Sequence, residues 1–195
     1  MSDYYDQYAA SYIEATKELD MSFFTARFLE LIPIGGTVLD AGCGSGRDAL
    51  FFHKQGYQIT AFDRSKELVR LAREWTALPI EERSFHDMSE ENVYDGIWAS
   101  ASLLHLPKSE LPIIFHLLYR ALKSRGILYA SFKVGESFTK EGLLYTSFTE
   151  EEFLIFIQDE TSFILKEMLI TEDLRVDRKG QFWLNAFLQK DTTAS

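Results

Sequence analysis

The sequence predicts an α/β fold, a doubly wound and mainly parallel sheet with helices on both faces, and three observations carry that prediction. From residue 37 onward, short β-rich runs alternate with amphipathic helical ones, the pattern of strand–helix–strand crossovers. The first run, Thr37 to Ala41, leads straight into Gly42, Gly44 and Gly46, and a helical pattern follows. The last two runs, Phe163 to Ile170 and Gln181 to Gln189, are joined by a polar turn too short for a crossover helix, so they pair as an antiparallel hairpin.

Taken in order, Thr37 to Ala41 is a short apolar strand, and Asp48 to Gln55 is a helix that Gly56 stops. Tyr57 to Phe62 (YQITAF) is the second strand, after which Ser65 caps an amphipathic helix running to Trp75. Ile80 to Phe85 is placed as the third strand, although its Glu-Glu-Arg centre is poor strand material. Tyr94 to Ala99 and Gly126 to Phe132 are the fourth and fifth strands, with a helix from Ser109 to Leu122 between them. Thr149 and Glu152 form a capping box that opens a further helix. Ahead of the sheet, Tyr8, Tyr12 and Ile13, then Phe23, Phe24, Phe28 and Leu31, recur at helical spacing. The expected organisation is one domain over residues 1–195, with a helical cap over 1–34 and an α/β core over 35–190.

Twenty basic against thirty acidic residues leave a net charge of −10, which argues against a broad grip on nucleic-acid phosphates. Cys43 is the sole cysteine, so no internal disulfide forms, in keeping with a reducing cytoplasm. The start, MSDYYDQYAA, lacks the basic-then-apolar form of a signal peptide. No apolar run reaches the roughly 18 residues of a membrane span. These features set the expectation of a cytoplasmic protein without a membrane partner and leave the oligomeric state open, monomer or dimer.

A glycine loses more conformational entropy on folding than any other residue, so three of them at alternate positions mean that something comes close to the backbone. The helix N-terminus behind them favours a negative group. A nicotinamide dinucleotide and S-adenosylmethionine both meet that description. The dinucleotide fingerprint is G-x-G-x-x-G, whereas here Asp40 leads a G-x-G-x-G series in VLDAGCGSG. That segment resembles motif I of the class I S-adenosylmethionine-dependent methyltransferases. The second strand runs out at Asp63, Phe85-His86-Asp87-Met88 follows the third, and YDGIWASASLLHL and ALKSRGILYASFK are similar to the family's fourth strand and helix–turn–fifth strand. Ser124-Arg125-Gly126 stands where the family commonly has Pro-Gly-Gly. The resemblance covers essentially residues 35–190 and is nearest to small bacterial methyltransferase-domain proteins often labelled tellurite-resistance-like. It implies a Rossmann-like, seven-stranded sheet in the order 3-2-1-4-5-7-6.

The resemblance also implies S-adenosylmethionine as cofactor, S-adenosylhomocysteine as product, and a set of roles. Gly42, Cys43 and Gly44 would lie against the methionine part, with Asp40 ordering the loop and meeting the amino group. Arg47 would help neutralise the carboxylate, and one N-terminal tyrosine, Tyr12 or Tyr5, would close over that end. Asp63 would hold both ribose hydroxyls, with Arg64 beside it. Asp87 would accept from the adenine amino group while Met88 lies on the ring, and Ala99 and Ser100 would flank the cofactor at the end of the fourth strand. Tyr5, His105 and Lys133 are the acceptor-side candidates. His105 is a candidate general base and Lys133 is either a substrate contact or one half of an ion pair.

Other features narrow the chemistry. His53, His86, His105 and His116 lack metal-ligand spacing, so no metal is expected. Cys43, inside the loop, reads as a packing residue. Ala99-Ser100-Ala101-Ser102 occupies the place of the [DN]-P-P-[FY] segment used for amino-group methylation of DNA or glutamine. Arg175, Arg178 and Lys179 read as a solvated hairpin turn. Val134 to Phe148 is long for a connection and reads as a lid. The size and acidity favour a small-molecule acceptor and argue against nucleic acid. An RNA or protein methyltransferase, a catalytically silent S-adenosylmethionine-binding module and a nicotinamide-dependent oxidoreductase remain as alternatives.

Overall fold

The computed structural model describes residues 2–191; Met1 and residues 192–195, the two ends of the expected domain, lie outside the described residues. Two helices come first, α1 (Ser2–Thr16) and α2 (Ser22–Glu30), followed by β1 (Thr37–Ala41), α3 (Arg47–Lys54), β2 (Gln58–Asp63) and α4 (Lys66–Thr76). Then come β3 (Glu81–Glu82), β4 (Tyr94–Ala99), α5 (Leu111–Ala121) and β5 (Leu122–Val134). The chain continues through β6 (Phe138–Lys140), β7 (Leu143–Tyr145), β8 (Ser147–Phe148), α6 (Glu150–Glu160), β9 (Phe163–Glu172) and β10 (Phe182–Lys190).

The main sheet runs β3-β2-β1-β4-β5-β10-β9. Strands β1 to β5 pair in parallel, while β10 is antiparallel to both β5 and β9. With β9 and β10 counted as the sixth and seventh long strands, this is the expected Rossmann-like order. The order reverses between β1 and β4, the point at which such sheets open a crevice beyond their strand ends.

Alternation along the strands sorts side chains between the two faces. Ile97, Leu128, Ala130 and Leu188 share one core with Phe115 of α5 and Phe153 of α6. Trp98, Tyr129 and Phe187, one position along, face the other side and pack with Phe28 of α2 and Phe52 of α3. Trp98 stacks on Tyr129 with ring centroids 3.9 Å apart. Gly96 makes that face possible, because a Cβ there would lie 2.5 Å from Cζ of Phe28.

Three expectations need correction. The third strand, expected over Ile80 to Phe85, is only Glu81–Glu82. Ile80 is instead buried against helices α3 and α4, and residues 85–87 coil into a 3-10 turn closed by Ser84 and Asp87. The fifth strand starts at Leu122, directly after α5, and Arg125 (φ +64°) takes the left-handed turn where the family commonly has glycine. The connection from Val134 to Phe148 is no open loop. It forms a β6–β7 hairpin, and β8 adds in parallel to the end of β5. Thr146 pins it, donating from its amide to the carbonyl of Leu104 (2.7 Å) and from its hydroxyl to that of Leu106 (2.6 Å).

Candidate functional site

The glycine loop sits between β1 and α3 with all three glycines at positive φ: Gly42 at +74°, Gly44 at +54° and Gly46 at +74°. Packing demands them as much as conformation does. A Cβ on Gly42 would lie 2.5 Å from Cβ of Ser102, and one on Gly44 would lie 3.0 Å from the Tyr12 ring. The loop's backbone is then tied down by two acids. Asp40 accepts from the amide of Ala49 at 2.9 Å, fastening β1 to the first turn of α3. Asp63 accepts from the amides of Gly44 (2.8 Å) and Ser65 (2.9 Å), fastening the loop to the end of β2. Burial raises the pKa of both carboxyls; the neighbouring Asp48 carboxylate adds to the rise at Asp40.

Arg47 spends its guanidinium on Asp48, with both contacts at 2.7 Å, and on the carbonyl of Thr16 (3.1 Å). Asp48 also accepts from the Trp98 indole at 2.8 Å, so this buried acid is satisfied on every side. Helix α1 closes over the loop. Asp6 accepts from the hydroxyl of Ser65 (2.6 Å), itself the N-cap of α4, and Ala9, Ile13 and Leu68 bury one another. The Tyr12 hydroxyl, buried and close to Asp63, has its pKa pushed up to about 12.

Two cavities open here. The larger, about 320 Å³, extends from Asp40, Gly42, Cys43, Arg47 and Ser100 to Lys133, Arg175 and Trp183. The smaller, about 100 Å³, is walled by Gly44, Phe62, Asp63, Arg64, Ser84 and Phe85. Tyr5, Tyr12, Gly42, Ala101 and His105 line both, so the two meet at these residues. His105 is fixed at the junction. Its Nδ1 lies 2.8 Å from the carbonyl of Leu144 in β7, and its Nε2 lies 2.7 Å from the hydroxyl of Tyr5. A carbonyl only accepts, so Nδ1 carries the proton, and Nε2 takes a hydrogen bond from the tyrosine. Burial lowers the histidine's pKa against the opposing pull of the Leu144 carbonyl, and burial raises that of Tyr5.

Most of the residues singled out in the sequence therefore gather around one crevice. Three do not reach it. Asp87 gives Oδ2 to the amide and hydroxyl of Ser84, both at 2.8 Å, closing its own turn. Met88 is buried in the core, and Ala99 pairs with Ala130 inside the sheet. None of the three lines either cavity. Lys133 resolves as an ion pair with Asp173 (2.9 Å) while still facing the larger cavity. Sequence reasoning missed Phe85 and Tyr145, which carry no motif, and set aside Arg175 and Arg178 because a polar turn looks the same whether or not it folds back over a cavity. Among the described residues no group of three or more His, Cys, Asp or Glu is arranged to hold a metal ion. No helix among them is long and apolar enough to cross a membrane.

Comparison with known proteins agrees with this geometry. Residues 38–126 match the family described as a methyltransferase domain. Over 181 residues the chain is 26% identical to YqeM of Bacillus subtilis (strain 168), a protein named as a methyltransferase, covering 82% of this chain and 73% of that one. It is 29% identical over 126 residues to the ubiquinone biosynthesis O-methyltransferase of Xanthomonas axonopodis pv. citri (strain 306), covering 61% of this chain and about half, 51%, of that relative. Among solved structures, the Burkholderia thailandensis 1,6-didemethyltoxoflavin-N1-methyltransferase, with its substrate and S-adenosylhomocysteine bound, superposes with a TM-score of 0.77. That likeness is at 21% identity and covers 97% of this chain and 86% of the other.

Fold and glycine-loop crevice are those found in class I S-adenosylmethionine-dependent methyltransferases, and residues 38–126 carry a methyltransferase domain. The crevice fits S-adenosylmethionine in kind: the buried Asp40 and the half-buried Asp63 flank the glycine loop, Phe85 gives a flat aromatic wall, and the backbone is one that only glycine leaves open.

Proposed function

We propose that the chain works as a single domain, transferring the cofactor's methyl group to a small-molecule acceptor held in the larger cavity. The observation that carries this reading is the junction of the two cavities under α1 and the β6–β7 hairpin, where Tyr5, Tyr12 and His105 meet the glycine loop. A chamber of about 320 Å³ that includes the methionine end of the crevice suits a compact molecule rather than a folded RNA or protein surface.

In this reading the adenosine lies in the smaller cavity, with the free lone pairs of Asp63 toward the ribose hydroxyls and Arg64 and Phe85 alongside. Asp40, Gly42, Cys43, Arg47 and Ser100 surround the methionine end, and Tyr12 covers it. Bound S-adenosylmethionine supplies a methyl already activated on a sulfonium, ready for in-line displacement. The protein's part is mainly to align the acceptor and exclude water, which the roof of tyrosines does. At the junction His105 presents Nε2, its proton held on Nδ1 by Leu144, and is placed to take a proton from an acceptor hydroxyl or N–H once Tyr5 yields the position.

The test is a cell extract incubated with the protein and methyl-labelled S-adenosylmethionine. Label should appear in a dialysable fraction together with an equal amount of S-adenosylhomocysteine. Label confined to RNA or protein would refute the small-acceptor reading.

A further inference from the structure

Opposite the glycine loop, the larger cavity ends in a corner built from β5 and the β9–β10 turn, and its charges do not balance. Lys133, Arg175 and Arg178 face the cavity there against two carboxylates, Asp173 and Glu172. Asp173, which is buried, takes hydrogen bonds from Lys133 (2.9 Å), from Nε and one Nη of Arg175 (2.9 and 2.8 Å) and from the Trp183 indole (2.8 Å). Glu172 lies at the exposed rim and accepts from the amide of Gly180 at 2.7 Å. Burial opposes ionisation of Asp173, yet the hydrogen bonds from Arg175, Trp183 and Lys133 outweigh it and hold the carboxyl well below its usual range.

The cations keep unused capacity. Lys133 gives protons to Asp173 and to Gln181 (3.0 Å) and lies 4.1 Å from the Trp183 ring centroid, leaving one proton without an acceptor among the described residues. The second Nη of Arg175 is likewise without one. Among the described residues Arg178 touches an acid only at 4.0 Å, through the exposed Asp177. Burial raises the pKa of the Tyr145 hydroxyl, and both arginines sit close enough to oppose that rise. A wall with surplus positive charge and free N–H donors, partly out of water, is a place for an anion, and a guanidinium edge matches a planar oxyanion.

We infer that the Lys133–Arg175–Arg178 corner binds an anionic group on the methyl acceptor, so that the enzyme's substrates are small carboxylates or phosphates rather than neutral or cationic molecules. This rests on the small-acceptor reading above and narrows it. The cofactor's own carboxylate is a second source of the same chemistry, and the experiment separates the two.

Protein loaded with S-adenosylhomocysteine is titrated calorimetrically with benzoate and with benzamide, which share an outline and differ in charge. Benzoate should bind at least about tenfold more tightly. Arg178→Gln, which breaks no side-chain hydrogen bond among the described residues, should reduce that preference to below about threefold, and Arg175→Gln should do the same. The surface variant Arg120→Gln should leave it intact, and S-adenosylhomocysteine affinity should stay within about twofold throughout. Equal affinities, no binding of benzoate, or a preference that survives Arg178→Gln would overturn the inference. Loss of S-adenosylhomocysteine affinity in Arg178→Gln would also overturn it, by assigning the corner to the cofactor. A small neutral acceptor found in the extract experiment would refute this inference alone, whereas label found only in macromolecules would refute the reading beneath it.

Discussion

The hydroxyl of Tyr5 lies 2.7 Å from Nε2 of His105, a hundred residues further along the chain, and closes the junction between the two cavities. The pairing joins helix α1 to the turn after β4 across the crevice, and Leu144 of the β6–β7 hairpin holds the other ring nitrogen. Tyr5→Phe should therefore leave cofactor affinity within about threefold, because the contacts around Asp63 and the glycine loop remain. It should change turnover and shift the low-pH limb of the rate profile. A profile that coincides with wild type would remove His105 from the proton path.

The same histidine sets a pH dependence of stability. Its folded-state pKa is lowered, so its neutral form is the one the fold favours. Its contribution is thus fully present above the unfolded pKa of about 6.5 and is lost as pH falls through the folded value. Asp173 acts in the same direction in a lower window, below about 3.9, since its pKa is also depressed. Denaturant unfolding at pH 7.5 and 5.5 should show wild type losing more stability between the two than His105→Asn does. Equal losses would contradict the assignment.

Gly44 tests how α1 closes over the loop. Gly44→Ala places a Cβ 3.0 Å from the Tyr12 ring and forces a left-handed φ on alanine, a conformation costing about 1–2 kcal/mol by itself. The variant should melt lower and bind S-adenosylmethionine less tightly. Restoring space with Tyr12→Leu should recover part of the stability but not the left-handed cost. No recovery in the double variant would mean that Tyr12 does not press on the loop.

The β6–β7 hairpin reaches α1 through Tyr4, whose hydroxyl donates to Glu141 at 2.9 Å, and it stiffens itself by stacking Phe138 on Tyr145. Shortening the chain between Gly135 and Gly142 should spare cofactor affinity and lower turnover by roughly tenfold or more, because the acceptor chamber loses its cover. Unchanged turnover would place the acceptor elsewhere.

Strands legible from residue pattern alone were those with long alternating or apolar runs, such as Tyr94–Ala99 and the C-terminal hairpin, together with capped helices such as α4 and α6. The third strand failed because Glu81 and Glu82 make edge contacts through backbone only, while Ile80, the residue that suggested a strand, is drawn into helix packing. The site's floor was legible because glycine spacing and the acids at strand ends are local features. Its walls were not. Arg175 enters the cavity through a turn between strands, and Asp87 leaves it because Ser84, three residues back, offers a nearer partner. Such choices are made by tertiary contacts that no local window contains.

We place S-adenosylmethionine along the crevice from Asp63, past the glycine loop, to Asp40, and calorimetric titration of three proteins tests that claim. Wild type should bind one S-adenosylmethionine per chain. Asp63→Asn should weaken that binding by roughly 2–4 kcal/mol, the loss of two charge-assisted hydrogen bonds with imperfect additivity. Asp87→Asn, altering a carboxylate already committed to Ser84, should stay within about threefold of wild type. No binding by wild type, or a larger loss at Asp87 than at Asp63, would contradict the claim.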